Sequence, residues 1–228
     1  VKILIVDNNI DQNCWGASDL RQLALASAPG STVYVRRAPH GDLPKNADGY
    51  DRVIVSGSKT SALEDAPWID ALLEFIRRTV DQRKPLLGVC YGHQSLVRAL
   101  GGKQTVRKAE EAEIGWTQIE VLEDDPLLKG IPKSFYSFNA HYDEVATLPG
   151  ALKRLARSSA CELQAVRVRE LPAFGIQFHP EKDAADAKKT FAETLKKSAR
   201  QALLHPKESE KLYDPAIGKT LFTNFLAL

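Results

Sequence analysis

The chain has 228 residues, 43% of them hydrophobic, and its 31 Lys and Arg against 29 Asp and Glu leave a net charge of +2. That length and apolar content suit one well-buried domain over 1–228 and are short for two. The charges are mixed, with no long basic block or aromatic-interleaved basic stripe, and no apolar run reaches membrane-spanning length; neither a nucleic acid nor a membrane is indicated as a partner.

From the start, Val1-Lys2-Ile3-Leu4-Ile5-Val6-Asp7 reads as a strand and lacks a signal peptide's cleavage region. Three cysteines without scaffold spacing fit a reducing compartment, so the chain is expected in the cytoplasm. Short β-rich runs at Lys2–Val6, Thr32–Val35, Arg52–Val55 and Leu86–Val89 alternate with helical patterns at Ser18–Ala28, Pro67–Val80 and His93–Leu100. This alternation predicts a parallel sheet with helices on both faces. Strands then follow at shorter spacing, at Trp116–Leu122, Ser134–Asn139, Leu152–Ala156 and Leu163–Val168, before Phe174–Phe178. They predict an antiparallel extension or a second sheet. The fold class is α/β, a flavodoxin-like three-layer sandwich. In such sheets the ligand site lies beyond the carboxyl ends of the parallel strands, where Gly57, Cys90 and His179 all fall. Asp183–Leu204 has helical spacing and leads through a polar stretch to a last helix; 183–213 reads as an insertion that packs on the core.

Chemistry concentrates at two of these strand ends. Gly88-Val89-Cys90-Tyr91-Gly92 puts a cysteine on a sharp turn between an apolar strand and a helix, with glycines where a β-carbon would block the turn. A thiol at a helix N-terminus meets partial positive charge and unpaired N–H groups, which favour thiolate. A cysteine beside an apolar strand is ordinarily a core thiol. The second segment argues otherwise: Phe178-His179-Pro180-Glu181 closes an extended run with a histidine and a carboxylate two residues apart, on the same side of the chain. His179 can face the sulfur while Glu181 holds its other ring nitrogen. Cys14 and Cys161 read as structural thiols, and Trp68 and Trp116 as packing residues.

The G-V-C-Y-G-H-Q and F-H-P-E segments resemble those of class I, triad-type glutamine amidotransferases, in the order Cys, His, Glu. Val53-Ile54-Val55-Ser56-Gly57 resembles the family's oxyanion strand, Leu100-Gly101-Gly102 the end of the helix after the nucleophile, and Ile217 to Leu226 the closing helix. Asn139-Ala140-His141-Tyr142-Asp143 stands at the place of its S-H-x-D glutamine-binding segment. Within the family, Asp7-Asn8 faintly resembles the D-N-x-D-S start of anthranilate-type glutaminase subunits, while Cys90-Tyr91-Gly92-His93-Gln94 is closer to the GMP synthase type. The resemblance implies a triad of Cys90, His179 and Glu181, and an oxyanion hole from the amides of Tyr91 and the Gly57/Ser58 loop. It also implies that Gln94 and the backbone of Asn139, Ala140 and His141 hold the amino and carboxylate groups of glutamine.

On that reading the substrate is a small molecule, glutamine or another γ-glutamyl compound. No cofactor or metal is needed, and the sequence shows no ligand cluster with metal-site spacing. There is no P-loop and no S-G-G-x-D-S pyrophosphatase loop, so ammonia released from glutamine would go to a separate synthase subunit. The same triad fits a stand-alone γ-glutamyl peptidase, which the Gly57-Ser58-Lys59-Thr60-Ser61 loop also resembles. Ser58 stands where many family members have a second glycine, which makes a peptide flip there harder. A non-catalytic descendant would be expected to lack a triad member, and all three are present.

Overall fold

The computed structural model describes residues 1–11, 16–198 and 200–228. Among the described residues nine strands form one continuous sheet in the order β2-β1-β3-β4-β9-β8-β7-β5-β6. The first four are β1 (Lys2–Asp7), β2 (Thr32–Arg37), β3 (Arg52–Val55) and β4 (Leu86–Val89). They run parallel to one another and to β9 (Ala173–Ile176). The remaining strands, β5 (Val106–Val121), β6 (Ser134–Val145), β7 (Leu152–Arg157) and β8 (Ala165–Val168), extend the sheet antiparallel from β9. The middle strands are thus an extension of the one sheet.

Strand parity divides the core into two layers. On β1, Ile3 and Ile5 face one side with Ile54 and Leu87, where α1 (Ala17–Ser27) and α6 (Pro215–Ala227) cover them. Leu4 and Val6 face the other with Val53, Val55 and Leu86, under α2 (Pro67–Asp81) and α3 (Tyr91–Gly101). These side chains are fully buried, and each contributes roughly 1.5–3 kcal/mol relative to exposure. Pro at the first position of α2 and of α6 presets the helical φ, and Asp214 caps α6 by accepting from the Ala216 amide at 2.9 Å. No helix among the described residues is long and apolar enough to cross a membrane.

Two elements of the extension run longer than their apolar pattern. β5 begins at Val106, inside a charged stretch, and β6 continues to Val145, so Asn139–Asp143 is strand. Their register slips between Lys108 and Glu113. Across this ladder Arg107 donates to Glu144 at 2.8 Å. The 183–213 region supplies α4 (Ala184–Lys197) and the short α5 (Ser209–Leu212). Phe191 of α4 packs on Phe138, which stands edge-on to Trp116 at 5.6 Å. The Trp116 indole donates to Ser209 Oγ at 2.9 Å, and Leu204 bridges Gly115 of β5. Trp68 packs beside Tyr91, and Cys161 is buried, its thiol pushed up to about 12 by burial; Cys14 lies outside the described residues.

The turn from β4 into α3 depends on a close backbone approach at two glycines. A β-carbon at Gly92 would stand 2.1 Å from the Val55 carbonyl oxygen, and one at Gly88 would stand 2.4 Å from the Gly92 oxygen. Neither backbone neighbour can yield, so Gly92→Ala is expected to destabilise the fold by about 1–3 kcal/mol. That corresponds to roughly 2–4 °C of melting temperature per kcal/mol, measurable by calorimetry. A Gly92→Ala protein melting with the parent would show that α3 is free to move off β3.

Candidate active site

Cys90 caps α3 with φ 52° and ψ −104°, a positive φ that costs a non-glycine residue about 1–3 kcal/mol. The Cys90 amide donates to the Ile176 carbonyl at 2.8 Å, tying the turn to the end of β9. Only 5% of the residue is exposed. The unpaired amides of the first turn of α3, including that of Tyr91, start from this point.

His179 lies three residues past the end of β9, after bends at Gln177 and Phe178. Its amide donates to the Phe138 carbonyl at 2.7 Å, which pins the backbone to β6. Its ring lies against Gly57: a β-carbon there would be 3.1 Å from the ring's Cε1, 3.9 Å from Nε2 and 3.6 Å from the Cys90 Cβ. The Nε2 edge of His179, Cys90 and Gly57 therefore converge. On the far side Nδ1 pairs with Glu181 Oε1 at 2.7 Å. Burial opposes charge on this ring, yet Glu181 and Cys90 outweigh it and raise the His179 pKa to about 10. For Glu181, burial pushes the carboxyl up and His179 and Lys182 pull it down, leaving it below the usual carboxylate range. The arrangement is a charged imidazolium held between a carboxylate and a sulfur.

The Gly57–Ser58 peptide is fixed by side chains. Ser56 Oγ donates to the Gly57 carbonyl at 2.8 Å, and a planar trans peptide turns the following Ser58 N–H the opposite way. Ser58 Oγ donates to the Asn8 carbonyl at 2.8 Å and accepts from the Thr60 amide at 3.0 Å. The side chain that replaces a second glycine thus anchors the loop.

A cavity of about 370 Å3 opens over the sulfur, within the size range of small-molecule sites. Of the residues singled out in the sequence, Cys90, Ser58, Gln94, Ala140 and His141 line it. Gly57, Tyr91, Asn139, His179 and Glu181 are not among the lining residues; Asn139 is fully buried, and its side-chain amide lacks a hydrogen-bond partner. The resemblance gives Asn139 its role through the backbone, which runs in β6 opposite Gly115, so the buried side chain leaves that expectation as it stands. Gln94 is turned inward as well, its Nε2 donating to the Asp143 carbonyl at 2.7 Å and to Gln177 Oε1 at 3.0 Å.

Around the predicted His141 and Asp143, the groups Glu113, Ser158, Gln164 and the α4 residues come from segments that the motif reading does not place at the site. His141 Nδ1 lies 3.1 Å from the Asp143 carbonyl oxygen and its Nε2 3.0 Å from Glu113 Oε2. Glu113 also accepts from Ser158 at 2.8 Å and Gln164 at 2.6 Å. Glu113, His141 and Cys161 come within 4.8 Å of one another, with both Glu113 oxygens already hydrogen-bonded. Burial, reinforced by His141, lowers the His93 pKa to about 3 and keeps that ring neutral. Asp143 accepts from the Ser61 hydroxyl at 2.5 Å and the Ala62 amide at 2.8 Å, joining β6 to the loop after β3. Thr190, Glu193, Thr194 and Lys197 of α4 form a wall of the cavity. Gln177 stood inside the F-G-I-Q-F-H-P-E segment, and its two-residue offset from His179 was the available signal.

A family model, glutamine amidotransferase class-I, matches residues 21–197. The chain belongs to the class-I glutamine amidotransferase family. It is 45% identical over 97 residues to a glutamine-hydrolyzing GMP synthase subunit from Pyrococcus abyssi, covering 42% of this chain and 50% of that one. With the corresponding GMP synthase subunit from Thermococcus kodakarensis it is 40% identical over 113 residues, 48% of this chain and 59% of the relative. The matched stretches thus span about half the length of these relatives. A crystal structure of glutamine amido transferase from Methylobacillus flagellatus superposes with a TM-score of 0.80 at 23% identity, over 99% of this chain and 94% of that one, which shows the shared fold.

The ion pair has a pH signature. A histidine raised from 6.5 to about 10 lends its stabilisation in full below pH 6.5 and loses it as the pH rises through 10. Glu181, held below 4.5, lends stabilisation above 4.5 and loses it as the pH falls through its lowered value. The melting-temperature difference between the parent and Glu181→Gln should therefore be greatest between pH 4.5 and 6.5 and close toward pH 10. A difference independent of pH would contradict the pairing.

Proposed function

We propose that this chain hydrolyses the side-chain amide of glutamine through Cys90, His179 and Glu181. One observation carries the reading: a cysteine on a strained turn at a helix N-terminus, beside an imidazolium that is itself held by a buried carboxylate. The sulfur of Cys90 attacks the amide carbon, and the developing oxyanion is met by the amides of Tyr91 and of the Gly57/Ser58 loop. His179 gives its proton to the departing nitrogen as the C–N bond breaks, releasing ammonia and leaving a γ-glutamyl thioester. Water then adds to the thioester while His179 takes its proton. The C–S bond breaks, and glutamate leaves with the oxygen of that water.

Gln94, Ala140 and His141, all on the cavity wall, are read as the glutamine-binding side of the site. The whole of 1–228 acts as one catalytic unit, with 183–213 closing one side of the cavity. Ammonia goes to a separate synthase subunit. Support for this comes from the relatives, each of which is one subunit of a glutamine-hydrolysing synthase.

A second reading keeps the triad and changes the leaving group to that of a γ-glutamyl peptide. It is favoured by the α4 wall, where Glu193 and Lys197 give the cavity charges of both signs for a larger leaving group to meet.

The purified chain assayed in parallel on glutamine and a γ-glutamyl dipeptide separates the two. Ammonia release from glutamine, reduced at least about thousandfold in Cys90→Ala, is the expected result. Dipeptide cleavage well above glutamine turnover would establish the peptidase instead, and wild-type turnover in Cys90→Ala would remove both readings.

A further inference from the structure

We infer that Gln177 is a positioning residue for the nucleophile, its side-chain amide bridging the Cys90 sulfur and Gln94. The inference rests on the reading of Cys90 as nucleophile. Gln177 Nε2 donates to Cys90 Sγ at 3.5 Å, and Gln177 Oε1 accepts from Gln94 Nε2 at 3.0 Å. The residue is fully buried, and its own amide donates to the Gln164 carbonyl at 2.8 Å.

Which end of the amide faces the sulfur follows from hydrogen-bond logic. The Asp143 carbonyl can only accept, so the group that Gln94 presents to it is the NH2. That same NH2 reaches Gln177, which must therefore offer its oxygen there and its own NH2 to Cys90. A donor aimed at the sulfur favours its anionic form and restricts its rotation, and in a buried site no water replaces it.

The end of β9 places both groups. The Cys90 amide meets the carbonyl of Ile176, the last residue of β9, and Gln177 and His179 follow within three residues, through bends at 177 and 178. Both face Cys90. Glu181, in the turn that follows, holds His179. The sulfur is clasped between an amide donor and an imidazolium from one short segment. Through Gln94 the same amide connects the nucleophile to a wall of the cavity.

The test is the pH dependence of Cys90 alkylation by iodoacetamide in the full chain, from about pH 5 to about pH 10, which needs no turnover. The other titratable and charged groups around the sulfur stay in place: His179 and Glu181 after β9, Lys59 and Glu64 after β3, Lys108 of β5, His141 and Asp143 of β6, Glu193 and Lys197 of α4. In Gln177→Leu the half-maximal pH is expected to rise by about one unit. Gln177→Glu, nearly identical in shape, should raise it further by setting a carboxylate against the sulfur, and it carries the test alone if the leucine variant does not fold. A folded variant alkylating with the parental profile overturns the inference. A shifted profile in a chain that hydrolyses no glutamine upholds it and removes the glutaminase reading instead.

Discussion

The contact on which the rest of this structure depends is the approach of α3 to β3 and β4 at two glycines. Because Gly92 lies against the Val55 carbonyl and Gly88 against Gly92, the chain leaves β4 through Cys90 in a left-handed conformation. The side chain is thereby carried out of the strand to the helix N-terminus. Adjacent parallel pairing of β4 with β9 then sets Val89 beside Ile176, and Gln177, the first residue after β9, falls beside the sulfur. Topology and two missing β-carbons thus bring together groups that are 89 residues apart in the chain, Cys90 and His179. The site needs no long loop to reach across.

Behind the sulfur the protein buries a group of polar side chains that an apolar core would exclude. Glu113, His141, Gln164, Gln94 and Gln177 are each at most 3% exposed. Burying such groups is costly unless each finds a partner, and here the hydrogen bonds run from Glu113 through His141 and the Asp143 carbonyl to Gln94, Gln177 and Cys90. Each bond fixes the orientation of the next amide or ring. The antiparallel extension contributes most of the members, which gives that part of the sheet a role beyond covering the core. α4 closes the assembly from outside, packing Phe191 on Phe138 and turning Glu193 and Lys197 toward the cavity.

How much of this was legible in the sequence follows from what is local. The strands β1 to β4, the turn at Gly88–Gly92 and the His179–Glu181 pair each announce themselves within a few residues. β9 ends at Ile176, short of the expected Phe178, because the chain bends at 177 and 178. The start of β5 does not announce itself, because Arg107 to Glu111 carry charges on both faces; its pairing comes from β6. That Asn139 would be fully buried is not a local signal, because its burial comes from the pairing of β6 with β5, where it stands opposite Gly115. Glu113 and Gln164 meet only because β5 and the segment before β8 converge in the folded sheet. The α4 wall likewise depends on where Trp116 and Phe138 dock that helix.

The central claim is that the Cys90 sulfur becomes covalently joined to the γ-carbonyl of the substrate. Acid-quenching the chain during turnover of glutamine and mapping the adduct by mass spectrometry tests it most directly. The account predicts a γ-glutamyl thioester on the peptide that carries Cys90, formed in the parent and absent from Cys90→Ala. Steady glutamine hydrolysis that persists in Cys90→Ala, or an adduct on another residue, would contradict it.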